Sequence, residues 1–398
     1  MKEIGGYAFT ECNFLKASII VNRMFVWFPD PFEDDYSIPS GIKIICGGAF
    51  RERTFLRSVD IPDSVTEIGH GAFSGCSSLK YIDIPDSVTK IEGWAFDGCS
   101  SLESVEIPDS VTEIGEYAFA GCSSITSIKI PYSVTEIGNG TFSECSSLKY
   151  VDIPNSVTKI GSCAFGGCSV ITNIEIPSSV TEIGERAFVH CKSLANIEIP
   201  DSVKQIGIQA FDGCESLRCI EIPDSIVSIP SFCFSGTKLK KAFIHKKIEK
   251  IENHAFDHCP IENYEVEVDN PTYTSKDGIL MNKAETTIIK FPARRDIKDY
   301  KIPIGIQSLG DCAFGGALFQ NIEIPNTINK IDSKVFFNCN KLTEIHLRVK
   351  DPCSITVSDD AFEYLNLDHC TLYVPIGTGY AYRHHPVFGQ FKEVVIER

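Results

Sequence analysis

The sequence predicts a β-rich solenoid, a single domain of stacked short coils over residues 1–398. Three observations carry that expectation. Phe recurs at 50, 73, 96, 119, 142, 165, 188, 211 and 234, eight successive steps of 23 residues. The segment between one Phe and the next repeats almost verbatim, as Leu79 to Ser101 and the unit beginning at Leu102 show. Pro and Gly inside each unit leave no stretch for the helix of about ten residues that a parallel α/β crossover uses. A fixed period in the range of about 20–50 residues is the signature of stacked repeats.

Each part of the unit has a physical reading. In Leu79-Lys80-Tyr81-Ile82-Asp83-Ile84 the apolar residues alternate, which is a short strand with one buried face. Pro85 ends the strand because it has no amide for a ladder. Asp86-Ser87 supports a turn through side-chain to backbone bonds. Val88-x-x-Ile91 turns apolar groups back inward, and Trp94-Ala95-Phe96 suits a helical turn whose Phe fills the core. One unit cannot bury its apolar face alone, whereas stacked units cover one another. The series starts at Phe9 and continues less regularly through Phe256, Phe314, Phe336 and Phe362, giving about fourteen coils.

The pattern Leu-x-x-Ile-x-Ile-Pro-x-x-Val-x-x-Ile-Gly-x-x-Ala-Phe-x-x-Cys resembles the 23-residue leucine-rich repeat of the BspA-like family, near-verbatim from Ile61 to Ile222. The resemblance implies a right-handed leucine-rich repeat solenoid with a parallel sheet on its concave side and short convex turns. It also implies a bacterial cell-surface or secreted protein that adheres to an extracellular or host protein.

Two segments break the period, 20–42 and 265–305. Asn22-Arg23 and Asn282-Lys283 each sit between apolar runs, as hairpin turns do, and Phe28-Pro29 and Phe291-Pro292 follow them. Both read as one hairpin module standing in for a coil. Residues 366–398 depart from the repeat and resemble the family's terminal cap, which shields the last coil's apolar surface and strand edge. The chain opens in mid-repeat at Lys2-Glu3-Ile4-Gly5-Gly6-Tyr7-Ala8-Phe9, with no apolar signal core, as a processed or truncated form of a longer precursor would.

Composition narrows the function. The formal charge is −16, from 37 Lys and Arg against 53 Asp and Glu, which disfavours nucleic acid and anionic lipid as partners. No apolar stretch approaches the roughly 18 residues of a membrane span. No Gly-x-Ser-x-Gly, phosphate-binding loop or dinucleotide fingerprint occurs, so the expectation is a non-catalytic monomer without cofactor or metal.

Seventeen Cys contrast with 3 Met and 2 Trp, a bias that a repeated template produces. Ten Cys share one repeat position: Cys12, Cys76, Cys99, Cys122, Cys145, Cys168, Cys191, Cys214, Cys259 and Cys339. Stacked about 4.8 Å apart with parallel side chains, they suit a column of buried free thiols better than disulfides. His254, His258 and Cys259 have metal-like spacing only on a helix, and Cys259 belongs to the template. His384-His385 lies in the cap and reads as solvated.

The outward positions of Leu-x-x-Ile-x-Ile are the most informative. One column carries Asp60, Asp83, Glu106, Lys129, Asp152, Glu175, Glu198, Glu221, Phe243, Glu323 and His346. Like charges on neighbouring strands repel mildly, and the column before Ile-Gly mixes signs: Glu67, Lys90, Glu113, Glu136, Lys159 and Glu182. An acidic strip attracts a basic protein segment. Calcium, which wants six to eight oxygens around one point, suits a line poorly. The neighbouring column offers Tyr81 and Tyr150 as aromatic anchors, three coils apart. The candidate binding surface is therefore Asp60, Asp83, Glu106, Asp152, Glu175, Glu198 and Glu221 with Tyr81 and Tyr150. The alternative is a carbohydrate-binding accessory protein, which clustered exposed aromatics would favour.

Overall fold

The computed structural model describes residues 19–28 and 34–397. Phe9, Cys12, Pro29 and the opening Lys2-to-Phe9 segment lie outside the described residues. The chain divides into two compact units, Met1–Ile226 and Val227–Arg398.

In the first unit most coils contribute two short strands that pair with counterparts one repeat away, whereas residues 217–221 form no strand. Asp35–Ser37, Ser58–Asp60, Tyr81–Asp83 and Ser104–Glu106 form one parallel sheet. Ser127–Lys129 pairs with Tyr150–Asp152, and Asn173–Ile174 with Asn196–Ile197, in the same register. A second row runs from Ile44–Ile45 through Glu67–Ile68 and Lys90–Ile91 to Glu113–Ile114, and resumes from Glu136–Ile137 to Gln205–Ile206. Tyr81 faces Ser104 and Lys90 faces Glu113, so the 23-residue period is the register itself.

The segment around Ala95-Phe96 is not a helical turn. It is a third ladder in which amides alternate between their own coil and the next. Phe96 N–H donates to the Ala118 carbonyl at 2.7 Å, whereas Cys99 N–H turns back to the Phe96 carbonyl at 3.1 Å. A helix would direct every amide within the coil. Positive φ at Trp94 (55°) and Gly98 (70°) accompanies the alternation, and the same pair recurs as Tyr117 (56°) and Gly121 (67°). Gly is the residue that takes this conformation without strain.

Side chains complete the inter-coil bonding. The serine after Pro was expected to close its own turn. Instead Ser110 Oγ donates to the Val88 carbonyl of the preceding coil at 2.6 Å, and Ser156 to Val134 at 2.7 Å. The repeat cysteines do the same inside the core: Cys122 Sγ donates to the Phe96 carbonyl at 3.2 Å, which Cys99 N–H also reaches. Both lone pairs of a buried carbonyl are thereby used. Buried thiols reach the Phe carbonyl in this way at Cys76, Cys99, Cys145, Cys168, Cys191 and Cys214 as well.

The Phe side chains form the spine of this core. Rings from Phe25 and Phe50 through Phe211 stack one per coil, with centroids 4.8 to 5.8 Å apart. All are fully buried. Such offset stacks add to the gain from burial. Near the start, Ile19–Val21 and Met24–Trp27 form an antiparallel hairpin over Asn22-Arg23, both at positive φ.

In the second unit the coils continue with Phe234 and Phe256, 5.6 Å apart, and with Phe314, Phe336 and Phe362 at 5.5 and 5.9 Å. Between those runs stand three antiparallel strands, Tyr273–Lys276, Ile279–Asn282 and Thr287–Lys290. The last pairs in parallel with Ser308–Leu309, so the module rejoins the ladder. Its first strand and the Asp277-Gly278 turn, both residues at positive φ, add a second hairpin to the one at Asn282. Buried Asn270 ties the module to the coil before it. Its amide donates to the His245 and Ile248 carbonyls, and its oxygen accepts from Thr272 and Tyr273 N–H. At the end, Glu393–Ile396 extends the parallel sheet beside Thr371–Val374. Phe388 and Phe391 close over Phe362, and the buried Tyr382 hydroxyl donates to the Val349 carbonyl at 2.8 Å.

Phe142 has stacked partners on both sides, so Phe142→Ala should lose about 3–5 kcal/mol of stability. Equilibrium denaturation of residues 1–226 within the full chain measures this. An unchanged midpoint would mean that the ring column does not carry the core.

Candidate functional site

The three-residue strands have an outward row because Ile82 and its counterparts turn inward. In Tyr81–Asp83 and Ser104–Glu106 the central residue is buried and both flanking residues are exposed. All nine candidate residues are exposed, Tyr81 at 56% and Tyr150 at 61%; six lie in these three-residue strands, Glu175 and Glu198 directly follow the strands Asn173–Ile174 and Asn196–Ile197, and Glu221 sits at the equivalent repeat position in a coil without a strand. Asp83 stands opposite Glu106, an unfavourable like-charge pair, and Lys129 opposite Asp152. None of the seven candidate carboxylates has an ion-pair partner among the described residues. Glu175, Glu198 and Glu221 share an open groove of about 840 Å³ with Asn173, Asn196 and Cys219. Tyr81 and Tyr150 line no part of that groove, and the Tyr81 hydroxyl donates to Glu103 at 3.3 Å.

The mixed-sign row behaves differently. Lys90 pairs with Glu92 at 3.2 Å and Glu113 at 3.5 Å, and Lys159 with Glu182 at 3.1 Å. Half-burial, and then the Glu92 charge, raise the Glu67 carboxyl above its ordinary value. The charge is also unevenly divided along the chain. Residues 1–226 hold 16 Lys and Arg against 31 Asp and Glu, whereas residues 227–398 hold 21 against 22. In the second unit the outward row carries Phe243 beside Glu265, then Lys301, Glu323, His346 and Tyr373. There Glu323 is held by Lys301 at 3.2 Å and Arg348 at 3.4 Å. The unpaired acidic strip therefore belongs to the first unit.

A second surface feature escaped the sequence reading. His70, Trp94 and Tyr117 form a file: His70 lies tilted against Trp94 with centroids 4.9 Å apart, Trp94 stacks on Tyr117 at 5.1 Å, and Trp94 is 38% exposed. Arg51, Ser74 and Asp97 join His70 and Trp94 around a cavity of about 290 Å³. Aromatic residues just before Ala95 and Ala118 were the available signal.

His254, His258 and Cys259 do not converge. The chain there is a turn, with positive φ at His254 (65°) and His258 (58°). The buried Cys259 thiol donates to the Phe234 carbonyl at 2.9 Å, and His258 is exposed. His254 instead meets Asp257 and Cys312, which together form the one mixed His, Cys and carboxylate group compact enough for a metal ion among the described residues. In the cap His384 is exposed, but His385 packs on Phe388, and burial lowers its pKa.

Two parallel ladders per coil, joined by short turns over one apolar column, define a leucine-rich repeat protein. The chain belongs to the BspA-type leucine-rich repeat family, whose repeat region matches residues 43–171, 168–273 and 289–378. It is similar to a solved leucine-rich repeat protein from Bacteroides ovatus, with 26% identity, a TM-score of 0.66 and 94% of each chain covered. A leucine-rich cell-surface protein from Faecalibacterium prausnitzii aligns with 21% identity and a TM-score of 0.40, over 94% of this chain and 89% of that one. No curated protein matches. No described helix is long and apolar enough to cross a membrane.

The sixteen described cysteines are all free thiols. Burial pushes the Cys99 and Cys122 thiols well above their ordinary range and Cys145 to about 12. Thiolate is the reactive form, so these three should resist alkylation in the native protein and react once it is unfolded. Mass spectrometry of peptides labelled before and after denaturation reads this directly. Disulfides between adjacent coils would contradict it.

Proposed function

We propose that the chain is a non-catalytic binding protein of the cell surface or secreted milieu. Its acidic row from Asp60 to Glu221 docks a basic segment of an extracellular protein. The observation that supports this reading is the row's isolation: its carboxylates are exposed and unpaired in a protein that pairs comparable charges elsewhere. Such a field acts chiefly on encounter rate and selectivity. Tyr81 and Tyr150 supply contact area and a polar tip.

A second reading, a carbohydrate-binding accessory protein, draws support from the His70-Trp94-Tyr117 file and the polar groups beside it. Retention on a polysaccharide array that is lost in Trp94→Ala would favour it.

The primary reading is tested by replacing Asp152, Glu175, Glu198 and Glu221 together with Ser. Folding should be unaffected, since these side chains face solvent. Association with a polylysine probe, and with partners drawn from an extracellular-protein panel, should weaken on the order of tenfold at low salt and less at high salt. Substitution of Glu67, Glu113 and Glu182 is the matched control and should change binding little. Equal binding by both variants would sink the proposal.

A further inference from the structure

Residues at the positive-φ position two before the core Phe touch their counterparts on the next coil. Trp94 stacks on Tyr117 at 5.1 Å, Arg186 Nε donates to Gln209 at 2.8 Å, and Phe232 stacks on His254 at 4.7 Å. His254 and Cys312 both occupy this position, with φ of 65° and 50°. They are 58 residues apart, yet His254 Nδ1 lies 3.8 Å from Cys312 Sγ. The adjoining Asn253 and Asp311 meet in the same way, at 2.8 Å. The hairpin module explains the contact. Phe291 N–H donates to the Ala313 carbonyl, as Phe96 does to Ala118, so Lys290 stands where the repeat has Ala. The strand Thr287–Lys290 leads straight into that position and omits the intervening turn.

Asp257 completes the group, with Oδ2 2.5 Å from His254 Nδ1 and Oδ1 3.2 Å from the Lys290 ammonium. All three donor atoms lie within 4.8 Å of one another. The Asp257 and Lys290 side chains are only 10% exposed, and Cys312 is 2% exposed.

We propose that His254 Nδ1, Asp257 Oδ2 and Cys312 Sγ form a zinc-binding site that clamps the coils on either side of the hairpin module. A nitrogen, an oxygen and a sulfur donor suit zinc, whereas calcium and magnesium avoid sulfur. Lys290 holds Oδ1, which leaves Oδ2 aimed at the other two donors and offsets the negative charge of carboxylate and thiolate. A partner that orients a ligand in this way is a regular feature of metal sites. The adjacent cavity of about 510 Å³, lined by Asp257, Lys290 and Cys312, supplies room for water as the fourth ligand. Tetrahedral zinc separates such donors by about 3.3–3.6 Å. The imidazole therefore withdraws from the carboxylate by somewhat under about 1 Å, and the thiol closes on His254 Nδ1 by about a few tenths of an ångström. Binding breaks the His254–Asp257 hydrogen bond, shifts the imidazole proton from Nδ1 to Nε2 so that the Nδ1 lone pair is free for the metal, and releases the Cys312 thiol proton to solvent.

The test uses the full chain, stripped with chelator and titrated with zinc or cobalt(II). The parent should take up one ion per chain and rise in melting temperature. With cobalt it should show a thiolate-to-metal charge-transfer band. Cys312→Ala should abolish the band. His254→Gln, at a partly exposed position that tolerates change, should weaken binding by at least about tenfold. The double variant of the exposed thiols, Cys219→Ser with Cys353→Ser, should bind as the parent does. The proposal is overturned if the parent binds no metal, if the band survives Cys312→Ala, or if His254→Gln binds like the parent.

Discussion

No coil of this protein is complete by itself, and the rest of the structure depends on that constraint. Two short strands cannot bury their own apolar face, and half of the amides around each Phe point out of their coil. The neighbouring coil supplies what is missing. It offers carbonyls to Phe96 and Phe119, a ring against each ring, a serine donor to the Val88 carbonyl, and a cysteine donor to the second lone pair of the Phe96 carbonyl. An unsatisfied buried polar group costs about 1–3 kcal/mol. The near-verbatim repeat is the consequence: a residue that bonds one repeat away constrains the same position in its neighbour. Cys at its repeat position is more than a small apolar filler, because its S–H reaches the second lone pair of a buried Phe carbonyl.

Much of this was legible in the sequence, for a physical reason. Strand, register and core all follow from a period of 23, and a periodic signal survives local ambiguity. What was not legible lay in backbone conformation. The Ala-Phe segment looked helical because Gly-x-x-Ala-Phe is compatible with a helical turn, whereas positive φ at Trp94 and Gly98 sends alternate amides sideways. The same error made His254 and His258 look like neighbours on one face. The serine bonds were misplaced because sequence distance favours a local turn, and stacking brings residue i−22 nearer. The contact of His254 with Cys312 was invisible, because it depends on how many residues the hairpin module removes from a coil.

The outward row shows what repetition leaves free. Inward positions are bound to their neighbours, so they vary little between Ile and Val. Outward positions are less constrained, and there the two units diverge: the seven candidate carboxylates have no ion-pair partner in the first, whereas in the second Glu323 is held by Lys301 and Arg348, and His346 by Glu344 and Glu397. Asp83 opposite Glu106 costs a little stability that the stacked core absorbs easily.

Hydrogen exchange at the Phe amides tests the stacking account most directly. If Phe96, Phe119, Phe142 and Phe165 donate to the next coil, their amides are protected. They then exchange only when residues 1–226 open as a unit, at one common free energy. Exchange at the fast rate of solvent-exposed turns, while the strand amides of Ile82 and Val105 stay protected, would contradict the claim that each coil is completed by its neighbour.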